Sequence, residues 1–286
     1  MNYRHAFHAG NHADVLKHVV LLALCEALLR KPAACFALDT HAGRGLYALD
    51  ADAAQRTGEA VAGVQRLFDA PPADHPWIAA YLDAVRACRA QHGDSAYPGS
   101  PWLLAHALRA QDRIACCELQ PEEAGALKAV FAGDDRVAVH QRDGYAALRA
   151  LLPPVVHGVR YARGLVLIDP PFEAQLAEFD VALAALREGL ARWPQAMFAL
   201  WYPIKQRRAV QPFYRAAAAL PARSVLCAEL LVRADDSPLR MNGSGMLLLN
   251  PPYQFDAGLQ RSLPLLARAL AADAPSARVE WLRAGA

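Results

Sequence analysis

The chain has 286 residues, 55% of them apolar, and a formal net charge of only +2. That much apolar sequence supports a large core and excludes a disordered chain, while near-neutral charge neither announces nor excludes a nucleic-acid partner. No run of about 18 apolar residues is free of charge or proline, and Met1-Asn2-Tyr3-Arg4-His5 lacks the apolar core of a signal peptide, so a cytoplasmic protein with no membrane span is expected.

The first residues lead to Asn11, an N-cap with an acid (Asp14) just beyond it, and to a helix over residues 12–30 stopped by Lys31-Pro32. Residues 35–38 form a short buried strand that runs into the loop Asp39-Thr40-His41-Ala42-Gly43-Arg44-Gly45. Residues 50–110 hold three helical stretches, broken at Pro71-Pro72 and Tyr97-Pro98-Gly99-Ser100-Pro101, with no strand among them. They read as an inserted helical subdomain in a main domain built from residues 1–49 and 111–286.

Strands at 114–119, 136–140, 164–169 and 196–202 then alternate with helices from Pro121, from Gly144, over 174–192 and over 206–220. Strands 223–233 and 245–250 have only a loop between them and should pair antiparallel, because a parallel crossover needs a dozen or more residues. A helix over 257–272 and a strand over 277–282 complete the chain. The expected fold is α/β: a Rossmann-like, mostly parallel sheet with an antiparallel C-terminal hairpin and an inserted helical subdomain.

Ligands of such a sheet bind beyond the carboxyl ends of the parallel strands. Those ends carry Asp39 to Gly45, Glu118, Asp143-Gly144 and Asp169-Pro170-Pro171-Phe172. Glycines admit a ligand to the backbone, and an acid closing the second strand suits the two hydroxyls of a ribose. The loop is not G-x-G-x-x-G and no basic cluster waits for a diphosphate, so a nucleoside with a zwitterionic tail fits better than NAD. At Asp169, proline rigidity, the Asp169 carboxylate, the Pro170 carbonyl and the Phe172 ring make a clamp for a flat base bearing an exocyclic amine. Asn250-Pro251-Pro252-Tyr253 has the same form, but an antiparallel strand would carry it to the opposite sheet edge.

The six cysteines (Cys25, Cys35, Cys88, Cys116, Cys117, Cys227) contain no C-x-x-C pair and read as buried thiols. His5, His8, His12 and His18 do not have the spacing of a metal motif, so no metal is expected; they read as local basic and polar groups at a helix N-terminus. His75, His92, His106, His140 and His157 carry no motif and read as surface or structural residues. Arg4 and Lys17 read as solvated or phosphate-contacting cations.

Motif order and type resemble the class I S-adenosylmethionine-dependent methyltransferases of the N6-adenine group. The N-terminal block Tyr3 to His18, Leu38-Asp39-Thr40-His41-Ala42-Gly43, Tyr97-Pro98-Gly99-Ser100-Pro101 and Leu200-Trp201-Tyr202-Pro203 resemble, more closely, the bacterial 23S ribosomal RNA adenine-N6 methyltransferases of the RlmJ family. The resemblance implies that His18, His41, Ser100, Glu118, Asp143, Gly144 and Asp169 line an S-adenosylmethionine pocket, that Asp169 is catalytic, and that Tyr3 and Phe172 meet the RNA. The familiar signature ends in Tyr; Phe172 keeps the stacking face and lacks the hydroxyl. The implied protein is a monomer whose partner is 23S ribosomal RNA. Two other readings are a DNA adenine-N6 methyltransferase and a noncatalytic RNA-binding module on the same fold; label transfer from S-adenosylmethionine to RNA or DNA separates the three.

Overall fold

Asn11 caps the first helix: its side-chain oxygen accepts from the backbone N–H of Ala13 (2.9 Å) and Asp14 (3.0 Å), and α1 runs His12–Leu29. The computed structural model describes residues 4–69, 75–172, 176–238 and 241–285. After α1 come β1 (Phe36–Asp39), β2 (Leu46–Ala48), α2 (Asp52–Thr57), a π-helical segment (Val61–Gln65), α3 (Arg66–Asp69), α4 (Pro76–His92), β3 (Ala96–Pro98) and α5 (Ser100–Ala107). The alternating part follows as β4 (Arg113–Glu118), α6 (Pro121–Val130), β5 (Val137–Gln141), α7 (Gly144–Leu151), the small hairpin β6 (Val155–Val156) and β7 (Val159–Arg160), β8 (Gly164–Ile168), α8 (Leu176–Arg192), β9 (Met197–Ile204) and α9 (Arg207–Ala218). The chain closes with β10 (Val225–Leu231), β11 (Gly243–Leu249), α10 (Phe255–Leu270) and β12 (Ser276–Arg283).

One eight-stranded sheet takes the order β12-β10-β11-β9-β8-β1-β4-β5. From β5 to β9 every pairing is parallel; β11 lies antiparallel to both β9 and β10, and β12 antiparallel to β10. The expected hairpin is therefore present, with its second strand turned inward beside β9. From β1 the chain winds one way through β4 and β5, then returns to the other side of β1 with β8 and β9. The carboxyl ends of β1 and β8 flank the crevice this reversal leaves, where open α/β sheets bind ligands.

The expectation of no strand within residues 50–110 is corrected by β3, which pairs antiparallel with β2 through Tyr47 and Tyr97. Three residues ending in a proline give no alternation to read, and the following Pro98-Gly99 signals a turn. Helices α4 and α5 lie on α1 and share its core: Val85, Cys88, Leu103 and Leu104 belong to the same buried cluster as Leu21 and Leu24. At about 1.5–3 kcal/mol for each large buried side chain, this contact, more than chain connectivity, fixes α4 and α5 against the main sheet. All six cysteines are buried and free, and no helix among the described residues is long and apolar enough to cross a membrane.

Candidate active site

A cavity of about 990 Å³ opens over the carboxyl ends of β1, β4 and β8. It brings together His18, His41, Ser100, Glu118, Asp143, Gly144, Asp169 and Phe172, gathered from six separate parts of the chain. Tyr3 lies outside the described residues.

The loop after β1 is shaped by two left-handed glycines, Gly43 (φ +59°) and Gly45 (φ +77°), a conformation that other residues rarely adopt. Glu118 fixes this loop: one carboxylate oxygen accepts from the Gly43 N–H at 2.9 Å and the other from the Gln120 N–H at 2.7 Å. Asp143 caps α7 by accepting from the Ala146 N–H at 2.7 Å. Gly144 follows where a Cβ would stand 1.9 Å from the Thr40 carbonyl oxygen, so only glycine lets α7 start so close to the β1 loop. His41 lies edge-on to Tyr145 (centroids 5.0 Å apart, 71° between planes), and burial pushes its imidazole down to about 4.

The other wall is built by α1. Lys17 is corrected from a solvated or phosphate-contacting cation to a buried one, only 4% exposed. Its Nζ is 2.5 Å from Asp169 Oδ2 and 2.8 Å from Asp14 Oδ1. Asp14 also accepts from the Gly10 N–H at 2.9 Å and meets His5 Nε2 at 3.0 Å. Burial opposes both charges, but His5 and Lys17 together hold the Asp14 carboxyl well below the usual range, and the two carboxylates hold the Lys17 ammonium well above its own. A lone lysine reads as solvated because sequence does not show what packs over a helix turn. The available signal was Asp14, three residues earlier and followed by Val15-Leu16: a carboxylate set to pair with Lys17 on a buried turn.

His18, the next residue, is 1% exposed. Its Nδ1 meets the Tyr97 hydroxyl at 3.0 Å, and Tyr97 meets Tyr81 at 3.0 Å. Its Nε2 is buried with no protein partner, and burial lowers the ring to about 3, so a neutral imidazole faces the cavity. Asp39 at the end of β1 is fully buried and, through that burial, raised to about 7. On the far side of Asp169, Phe172 meets Trp201 edge-on (5.8 Å, 62°); Trp201 lines the cavity with its indole Nε1 buried and unpaired.

Asn250 stands elsewhere. Leu249 pairs with Phe198 and with Val225, at the amino ends of β9 and β10, so the second Pro-Pro motif lies at the opposite edge of the sheet, as the topology requires. Its amide accepts from the Arg223 N–H (2.8 Å) and donates to the carbonyls of Pro194 (3.0 Å) and Ala196 (2.9 Å).

The family model described as "Ribosomal RNA large subunit methyltransferase D, RlmJ" matches residues 32–283. The chain belongs to the RlmJ family. Two RlmJ relatives called "Ribosomal RNA large subunit methyltransferase J", from Haemophilus influenzae and Escherichia coli, are each 37% identical to it, with 99% of both chains covered. A crystal structure of a Legionella pneumophila protein superposes with a TM-score of 0.83 at 30% identity, covering 96% of this chain and 98% of that one. The RlmJ assignment agrees with the class I methyltransferase fold expected from the sequence.

Proposed function

We propose that this chain is a methyltransferase that uses S-adenosylmethionine to methylate N6 of an adenine in 23S ribosomal RNA. Family membership supports a ribosomal RNA methyltransferase, and one observation carries the chemistry: Asp169, at the reversal point of the sheet, is held by Lys17 beside the Phe172 ring.

The cavity fits the cofactor on its own features. A carboxylate at Glu118 and an unpaired buried imidazole nitrogen at His18 suit a nucleoside with a polar tail. Glu118 would take the ribose hydroxyls, His41, Asp143 and Gly144 the base, and His18 with Ser100 the tail. When bound, S-adenosylmethionine supplies a methyl group on an electrophilic sulfonium.

The chain's own contribution is to orient an amine. The adenine N6 lone pair is delocalised into its ring, and acceptors for the two amino hydrogens localise it on nitrogen. The Pro170 carbonyl takes one hydrogen and Asp169 Oδ1 the other, because Lys17 occupies Oδ2. The Asp14–Lys17–Asp169 chain keeps that acceptor from rotating, which is the positional control that lowers a barrier without a covalent nucleophile. Phe172 stacks the extruded base, worth about 1–3 kcal/mol, comparable to the cost of unstacking it.

The test is incubation of the full chain with methyl-labelled S-adenosylmethionine and 23S RNA, followed by nucleoside mass spectrometry. Label in N6-methyladenosine, lost in Asp169→Ala, is the expected result. No base-linked label, or equal label in DNA, overturns the reading.

A further inference from the structure

The N-terminal block that brings in Asp14 and Lys17 does not stand on α1 alone. It rests on a short stretch of the insertion, residues 57–64. The Val64 N–H donates to the Gly10 carbonyl at 2.8 Å, and the Thr57 hydroxyl donates to the Phe7 carbonyl. Gly63 breaks the π-helical segment with non-helical angles (φ −106°, ψ −112°). A Cβ there would lie 2.0 Å from the Gly10 carbonyl oxygen and 2.7 Å from the Asn11 backbone, so the irregularity lets two backbones touch.

Glu59 supplies the specific contact in this seat. Both its carboxylate oxygens lie 3.0 Å from His8 Nδ1, and Oε2 accepts from Asn11 Nδ2 at 2.9 Å. Asn11 is the N-cap of α1, and capping requires its oxygen, not its nitrogen, to face the Ala13 and Asp14 N–H groups. By taking the amide nitrogen, Glu59 selects that orientation. The first two turns of α1 then carry Asp14 and Lys17 to Asp169. Glu59 itself stays about one-third exposed, so it is not a core residue whose loss collapses the fold.

We propose that Glu59 is a positioning residue for methyl transfer, acting through Asn11 and His8 to set the turn of α1 that holds Asp169. This inference rests on the methyltransferase reading above, and the insertion is thereby tied to the reacting centre.

The experiment compares wild type, Glu59→Ala and Glu59→Gln as full chains. Steady-state constants for S-adenosylmethionine and 23S RNA are measured, with thermal midpoints and backbone amide exchange at Ala13 and Asp14 in the absence of substrate. Glu59→Ala should lower kcat by about ten-fold or more, since small misplacements of reacting groups carry costs of that order. Both KM values should stay within about two-fold, and Ala13 and Asp14 should exchange faster. Glu59→Gln keeps an oxygen for Asn11 and should recover kcat to within about three-fold. An unchanged kcat in Glu59→Ala overturns the proposal, as do equal losses in the two variants accompanied by equal falls in thermal midpoint. If wild type transfers no methyl group, the functional reading falls, and amide exchange alone decides the link: unchanged exchange in Glu59→Ala overturns it.

Discussion

Lys17 sits between two carboxylates with its side chain 5% exposed, while Asp14 is 2% and Asp169 16% exposed. Breaking such an arrangement leaves charge buried without compensation, which costs about 3–5 kcal/mol. Lys17→Met should therefore destabilise the fold by roughly that amount in denaturant titration and also abolish transfer, because Asp169 loses the group that orients it. Phe172 separates from Asp169 in effect: Phe172→Ala should raise KM for RNA by about ten-fold, the scale of one stacking contact, with KM for S-adenosylmethionine within about two-fold. Equal weakening of both substrates would refute a stacking role. Asp169, Glu118 and Gly144 were legible in the sequence because each closes a strand or opens a helix at one sheet edge. Lys17 and Glu59 were not, since their roles follow from what packs over them, and no periodicity records that.

Elements decide which of two similar motifs meets the ligand. Asp169 follows a parallel strand, whereas Asn250 follows β11, which runs against its neighbours, so equal chemistry is delivered to opposite edges. Asn250 instead ties strand ends together with three hydrogen bonds. Asn250→Ala should cost about 1–3 kcal/mol in unfolding free energy through the backbone groups it strands, with kcat unchanged; a large fall in kcat at preserved stability would contradict the structural assignment. The long parallel strands and their crossover helices could be read from apolar runs bounded by Gly and Pro. The β2–β3 pair escaped because it is held by two buried tyrosines and not by a repeating pattern.

Over the whole molecule, buried titratable groups set an acid limit. Burial lowers His12 to about 4, His18 to about 3 and His41 to about 4. Their folded-state values lie below the unfolded one of 6.5, so the stability they contribute is present above 6.5 and is lost as pH falls. Asp39, raised to about 7 by burial, acts in the opposite sense: its contribution is full below 3.8 and lost as pH rises through 7. Between about pH 5 and 6 these three imidazoles outweigh the one carboxyl, and the lowered His75, His106 and His140 act with them against the raised His8, so unfolding should take up protons and the thermal midpoint should fall with acidification. A midpoint flat over that interval would show that the imidazoles are not held neutral. The near-zero net charge of the chain gave no hint of these buried titrating groups.

The placement of β11 has a consequence for how the molecule is made. β10 leaves the ribosome first, yet the strands on its two sides, β11 and β12, both come later in the chain. Every residue of β10 is buried in the finished sheet. During synthesis this strand must therefore wait, apolar and open along both edges, in the state most prone to pair with another molecule. A chain cut between residues 231 and 243 would leave it there permanently, so the last sixth of the sequence, remote from the reacting centre, is what seals the sheet.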